Sequence, residues 1–280
     1  MAAQVKIEKN SVQETLVVPL YAKAYCVKQY PDLFHDEDCV QICDSIDYDF
    51  SQMDDKIHSL SGKISALSAA IRQYSIVQAI KQYLTDHPHA AIVNLGCGLD
   101  TAGHQVDTGS CTFYNIDFAN VIALREQLLP KGNREINIAC DINDFSWFDQ
   151  IQFDSSRGAV FFACGVFMYC SKTQVKKLTN ALAQRFPGGE LIFDGENSKG
   201  IAMDKKIIEA SGIAPKDLME LNDPENELSS FSSHIASVQS TGLMSAYRKP
   251  DKRFGVVFRI MARYADHSHM SQLNRIYFNK

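Results

Sequence analysis

No run of about 18 consecutive apolar residues occurs in this chain of 280, which excludes a transmembrane helix. The stretch from Met1 to Asn10 has no apolar h-region, so no secretory signal peptide is expected and a cytoplasmic location is. There is no Cys-x-x-Cys pair and no His-Glu-x-x-His. Cys39 and Cys43 stand four apart without a second pair, and the close histidines are only His87/His89 and His267/His269, so no metal site is expected. The eight cysteines, several inside apolar runs, read as reduced thiols acting as small hydrophobes. Positive charge is not in excess. The formal net charge of −5 gives no overall attraction to nucleic acid or an anionic membrane, leaving only a local basic patch as a route to either. Repeats, low-complexity tracts and Pro/Gly/Ser linkers are missing too, so nothing cuts the chain into independent halves.

What is present reads as an ordinary globular protein, 45% hydrophobic and 22% charged. The first ninety residues carry helical periodicity. Ile57, Leu60, Ile64, Leu67, Ile71 and Tyr74 recur at steps of three and four, predicting a helix that continues through Val77, Ile80 and Leu84 and ends before Pro88. From Ala90 the pattern changes to short apolar runs at 90–95, 111–116, 135–140, 159–163 and 190–193. Helix-like stretches lie between them, around 121–129 and 174–185. This alternation predicts a doubly wound, mostly parallel α/β sheet covered on both faces, with a ligand at the carboxyl ends of its strands. Residues 196–235 break the alternation and read as an insertion or lid after the fifth strand. Apolar stretches near 241–247, 254–264 and 272–278 are expected as strand, helix and strand.

Three strand ends carry the chemistry. The first runs into Asn94-Leu95-Gly96-Cys97-Gly98-Leu99-Asp100, where the glycines permit a tight turn and close approach of a ligand. A dinucleotide fingerprint would want glycine at 101, and Thr101 stands there; this favours an adenosyl ligand without phosphates over NAD or FAD. Asp117 ends the second strand, placed to accept from ribose hydroxyls. Asp141 and Ile142 follow the third, where an acid and an apolar side chain could meet adenine.

At these segments the chain resembles the leucine carboxyl methyltransferase superfamily, in particular its bacterial branch similar to polyketide-synthesis O-methyltransferases. The resemblance rests on Thr-Leu-Val-Val-Pro-Leu-Tyr (15–21), Ile-Asp-Tyr-Asp-Phe (46–50), Ile-Arg-Gln-Tyr (71–74) and Val-Asn-Leu-Gly-Cys-Gly-Leu-Asp-Thr (93–101). It continues in Asn-Ile-Asp-Phe-Ala-Asn-Val-Ile-Ala-Leu-Arg (115–125), Gly-Val-Phe-Met-Tyr (165–169) and Phe-Pro-Gly-Gly-Glu-Leu-Ile-Phe-Asp (186–194). It implies a Rossmann-like, seven-stranded class I methyltransferase fold, with residues 1–88 as a helical cap of the same domain. Residues 89–280 would be the core, with the lid at about 196–235.

The resemblance also implies S-adenosyl-L-methionine as cofactor, S-adenosyl-L-homocysteine as product and O-methylation of a small-molecule acceptor. No nucleic acid or membrane partner is implied, and the chain would act as a monomer or homodimer. By position, Arg72 would bind the methionyl carboxylate, with Gly96, Cys97 and Gly98 under the methionyl and ribose parts. Asp117 and Phe118 would meet the ribose, Asp141 and Ile142 the adenine. Cys164 and Gly165 would line the cleft, with Tyr169 catalytic beside the acceptor. Tyr21 and Tyr25 are further candidates for acceptor contacts, while His104 and His234 read as exposed loop residues. Three positions depart from the usual pattern. Ala102-Gly103 stands where the family has Arg, Cys164 where it has Glu, and Phe118-Ala119 where it has Leu-Pro. The rival readings are a cofactor-binding protein with weak or lost transfer, a protein carboxyl methyltransferase, and an NAD-dependent oxidoreductase.

Overall fold

The computed structural model describes residues 5–7, 12–210, 218–245 and 252–280. Its centre is a seven-stranded sheet. After a two-residue ladder between β1 (Val5–Lys6) and β2 (Ile46–Asp47), the sheet strands follow in chain order. They are β3 (Ala91–Leu95), β4 (Thr112–Asp117), β5 (Glu135–Ala139), β6 (Ala159–Ala163), β7 (Glu190–Glu196), β8 (Ile235–Gly242) and β9 (Ser271–Phe278). The spatial order is β5-β4-β3-β6-β7-β9-β8, and β9 runs antiparallel to both of its neighbours. The fold is therefore the doubly wound, class I methyltransferase type expected.

Period-two alternation explains why the sheet is covered on both sides. Ile92, Phe113, Val160, Phe162 and Ile192 face one hydrophobic cluster, while Ala91, Val93, Leu95, Tyr114, Phe161, Leu191 and Phe193 face the other. The first cluster is completed by four N-terminal helices: α1 (Val12–Gln29), α2 (Glu37–Ser45), α3 (Ser51–Ile57) and α4 (Leu60–Asp86). The short α5 (Ala102–Val106) and α10 (Gly255–His267) join them. On the other face, the buried Trp147 and Phe148 pack with α7 (Lys172–Arg185) and α9 (Pro224–Ser229). The remaining helices are α6 (Ala119–Leu128) and α8 (Ser198–Ala210).

The expected long N-terminal helix exists, but it begins at Leu60. Ile57 closes α3 instead, and Ser59 caps α4 by accepting from the Gly62 amide at 3.1 Å. The helix ends at Asp86, ahead of Pro88. The strand expected at 241–247 lies at 235–242. It is an edge strand whose exposed positions carry Ser, Gln and Thr, so apolar content alone misplaced it; residues 246 and 247 lie outside the described residues, as do 211–217 of the insertion. The described parts of the insertion contain α8 and α9, and its Met219, Leu221, Leu228 and Phe231 are buried.

After β5 the chain returns to the opposite side of β3 to form β6. That reversal opens a crevice between the carboxyl ends of β3 and β6, where a doubly wound sheet binds ligands.

Candidate functional site

The two loops leaving the crevice touch. Gly96 has φ +66°, and a Cβ there would stand 2.8 Å from the Val166 side chain, so glycine is required by both conformation and space. The Gly96 and Cys97 amides donate to the Ile116 carbonyl at 2.9 and 3.0 Å. From α6 the buried Arg125 donates to the carbonyls of Gly98 at 3.2 Å and Asp100 at 2.7 Å, which clamps the turn from outside. Arg125 was not singled out from the sequence, although it closes one of the matched segments.

Asp117 sits at the end of β4 and is aimed by the backbone. Its Oδ2 accepts from the Gly98 amide and its Oδ1 from the Phe118 amide, both at 2.8 Å. Burial raises its pKa despite these two donors. Each oxygen keeps acceptor capacity for a further donor, such as a hydroxyl. Phe118 itself is exposed, at the rim. Asp141 is exposed one strand further along and accepts from the Asn143 amide at 2.9 Å. Ile142 is buried, its carbonyl held by Trp147 Nε1 at 3.2 Å.

Arg72 reaches the same edge from α4. Its Nη1 lies 3.2 Å from Asp194 Oδ2, and Asp194 Oδ1 accepts the Gly165 amide at 2.6 Å. Gly165 has φ +69°, and a Cβ there would lie 3.0 Å from Arg72 Cζ, so the guanidinium rests on bare backbone. Burial acts to lower the Arg72 pKa, but the acidic groups around it, Asp194 foremost, together raise it and the group stays cationic. Arg72 Nε is buried and has no hydrogen-bond partner among the described residues. Such an orphaned donor costs about 1–3 kcal/mol and calls for an acceptor.

Beyond Arg72 lies a second acidic pair. Burial first, then the negative charges of Asp204 and Asp194, raise the pKa of Glu196, at the end of β7. Asp204, on α8, is likewise raised by burial, and its carboxyl group hydrogen-bonds that of Glu196. Tyr169, half-buried in the turn after β6, also feels Arg72, Asp204 and Asp194; burial is the main cause of its raised pKa. That turn is fixed by the capping box of α7. The Gln174 amide donates to Ser171 Oγ at 3.1 Å, and the Ser171 amide donates to Gln174 Oε1 at 2.9 Å. Burial pushes Cys164 and Cys97 up to about 12, so both are thiols with no nucleophilic character at neutral pH.

The position of the missing third glycine has its own purpose. The fully buried Thr101 donates from Oγ1 to Asp36 at 2.6 Å, and Gln73 Nε2 donates to Asp36 at 2.8 Å. Asp36 also caps α2 through the Cys39 amide at 3.2 Å. One buried carboxylate thus ties the glycine turn to the cap, beside Arg72. Lys23 and Asp100, both buried enough to be shielded from water, pair at 3.5 Å close by.

His104 departs from expectation. It is half-buried on α5, with Nδ1 2.6 Å from Asp38 Oδ2 and Nε2 3.2 Å from Glu135 Oε1, bridging α2 to β5. His234 is exposed before β8. Tyr21 hydrogen-bonds Asp54 and stacks on Phe50, and Tyr25 packs edge-on to His58, so both are engaged with the α3 region.

The structure therefore gathers Arg72, Gly165, Tyr169, Asp194, Glu196 and Asp204 on one side of the crevice and Gly96, Gly98 and Asp117 on the other. The leucine carboxyl methyltransferase family profile matches residues 17–183. The tetracenomycin polyketide synthesis O-methyltransferase of Streptomyces glaucescens is 25% identical over 189 residues, covering 67% of each chain. A candidate methyltransferase from Thermobifida fusca shares the fold with a TM-score of 0.61 at 14% identity, over 96% of this chain and 95% of that one. A DUF574 family protein from Streptomyces avermitilis does so with a TM-score of 0.58 at 11% identity, over 88% and 98%.

Proposed function

From the premise that the chain belongs to the leucine carboxyl methyltransferase family and is an S-adenosylmethionine-dependent methyltransferase, we propose that it methylates oxygen in a hydroxyl or carboxyl group of a small metabolite. The cofactor supplies an activated sulfonium methyl and leaves as S-adenosyl-L-homocysteine. The observation that carries the site assignment is the buried, unpartnered Nε–H of Arg72. With Nη1 held by Asp194, that donor is reserved for the methionyl carboxylate, and a charge-assisted bond there would relieve the orphan. Gly96, Cys97 and Gly98 would offer bare backbone to the methionyl and ribose parts. Asp117 would accept from the ribose, with Phe118 at its edge, and Asp141 and Ile142 would border the adenine. Cys164 and Gly165 would line the transfer cleft.

Tyr169 would orient the acceptor and offer an aromatic face to positive charge. Positioning is the main task of the protein, because an acceptor held in line reacts as if intramolecularly. A carboxylate acceptor is nucleophilic as it stands. A hydroxyl must lose a proton, and the Glu196–Asp204 pair, with pKa values raised by burial, is suited to take it. Residues 1–88 and the insertion at about 196–235 would close over the acceptor and exclude water. The kinship with a polyketide synthesis enzyme supports a small acceptor over a protein chain.

The test uses S-adenosylmethionine labelled in the methyl group and a panel of phenols and carboxylic acids. Label in a base-stable ether or a base-labile methyl ester supports the proposal. Label recovered only on nitrogen, or only on a protein, overturns it.

A further inference from the structure

Helix α10 has two apolar faces, of which one is buried and the other exposed. Phe258 and Ala262 are buried against the cap cluster, together with Phe254 just ahead of the helix. At 100° per residue the opposite face carries Val256, Val257, Ile260, Met261 and Tyr264. These are 68%, 47%, 61%, 41% and 59% exposed. Single exposed hydrophobic residues need no explanation, but five contiguous ones on one helical stripe mark an interaction surface.

Charge identifies its partner. On the same helical wheel Arg259, Arg263 and His267 fall in a strip along one edge of the apolar stripe, with Lys252 and Arg253 at the amino end. Arg253 pairs with Asp32 at 3.0 Å. Arg259 and Arg263 form no ion pair among the described residues. Across 252–267 there are four basic residues and one acid, Asp266, a local +3 in a chain of −5. Asp266 turns inward, accepting from the Met244 amide at 3.0 Å and from Ser245 Oγ at 2.9 Å. A second copy packed on this stripe would bring two cationic strips together. An apolar face bordered by Arg259 and Arg263 instead complements a surface that is apolar inside and anionic at its rim.

We propose that α10 is an interfacial helix that docks the enzyme on anionic lipid bilayers. Val256, Ile260 and Tyr264 enter the headgroup–acyl boundary, while Arg263 and Arg259 snorkel to lipid phosphates. No described helix is long and apolar enough to cross a membrane, so the contact is peripheral. The proposal does not rest on the reaction assigned above.

The experiment is co-sedimentation of the full chain with phosphatidylcholine vesicles, with and without phosphatidylglycerol, at low and high salt. The variants are Ile260→Glu and Arg263→Glu, both at exposed positions and checked for an unchanged melting temperature. The expected result is binding to phosphatidylglycerol vesicles alone, weakened by salt and about tenfold by either variant. Three results would overturn the proposal: no binding to the anionic vesicles, binding that neither variant alters, or a wild-type homodimer that Ile260→Glu dissociates. The last would assign the stripe to a second copy.

Discussion

The Arg72 guanidinium and the Asp194 carboxylate meet at 3.2 Å across 122 residues of chain, one from the cap helix and the other from the carboxyl end of β7. Asp194 also holds the Gly165 amide, so a single buried acid sets both the cation and the loop it lies on. Replacing it with Asn keeps an acceptor for Gly165 but removes the charge that orients Arg72. Asp194→Asn should weaken S-adenosylhomocysteine binding by about 10- to 100-fold, equivalent to about 1.4–2.7 kcal/mol. Isothermal titration checks this, and an unchanged affinity would show that Arg72 is oriented without Asp194.

Gly165→Ala tests the contact from the other side. The added methyl must adopt a positive φ and lie 3.0 Å from Arg72 Cζ. The left-handed backbone alone costs about 1–2 kcal/mol. We expect a lower melting temperature together with a raised KM for S-adenosylmethionine. A variant that binds cofactor normally would mean that the guanidinium does not rest there in solution.

The pair at the end of β7 separates the two acceptor chemistries. Glu196→Gln should lower kcat for hydroxyl acceptors by about 10²-fold or more and leave the KM for the cofactor unchanged. Carboxylate acceptors, which need no proton removed, should be spared. Equal loss with both acceptor types would make Glu196 a structural residue.

The His104 bridge predicts a pH dependence of stability. Hydrogen bonds to Glu135, first, and Asp38 raise its pKa from 6.5 to about 9. The folded state therefore holds this proton more tightly than the unfolded chain. The added stability is whole below pH 6.5 and is lost as pH climbs from 6.5 to about 9. With the imidazole partly exposed, about 1 kcal/mol is expected. Glu135, lowered to about 2, contributes in the opposite window, losing its share as pH falls from 4.5 toward 2. Melting curves of the wild type and His104→Gln should differ below pH 6.5 and converge near pH 9. A gap that does not change with pH would refute the bridge as a charged one.

The parallel strands were legible because each is a near-continuous apolar run, a pattern set by burial on both faces. The edge strand at 235–242 was not, since none of its positions is fully buried and its exposed ones include Ser237, Gln239 and Thr241. Within the site, the placement of Gly96, Gly98 and Asp117 was legible because each lies at the carboxyl end of one strand. Asp194, Glu196, Asp204 and Arg125 were not, because what they face comes from distant chain. Thr101 looked like the absence of a glycine, but its hydroxyl is an anchor for the cap through Asp36. His104 looked like a loop residue because its two carboxylate partners lie 66 and 31 positions away in opposite directions.

The most direct test of the adenosyl site is thermal unfolding with S-adenosylmethionine, S-adenosylhomocysteine or NAD, since a ligand bound only by the folded form raises the midpoint. At about 100 times its dissociation constant, either adenosyl ligand should add about 2.7 kcal/mol, and NAD should add nothing. A rise with NAD alone, or with none of the three, would contradict the assignment of the crevice.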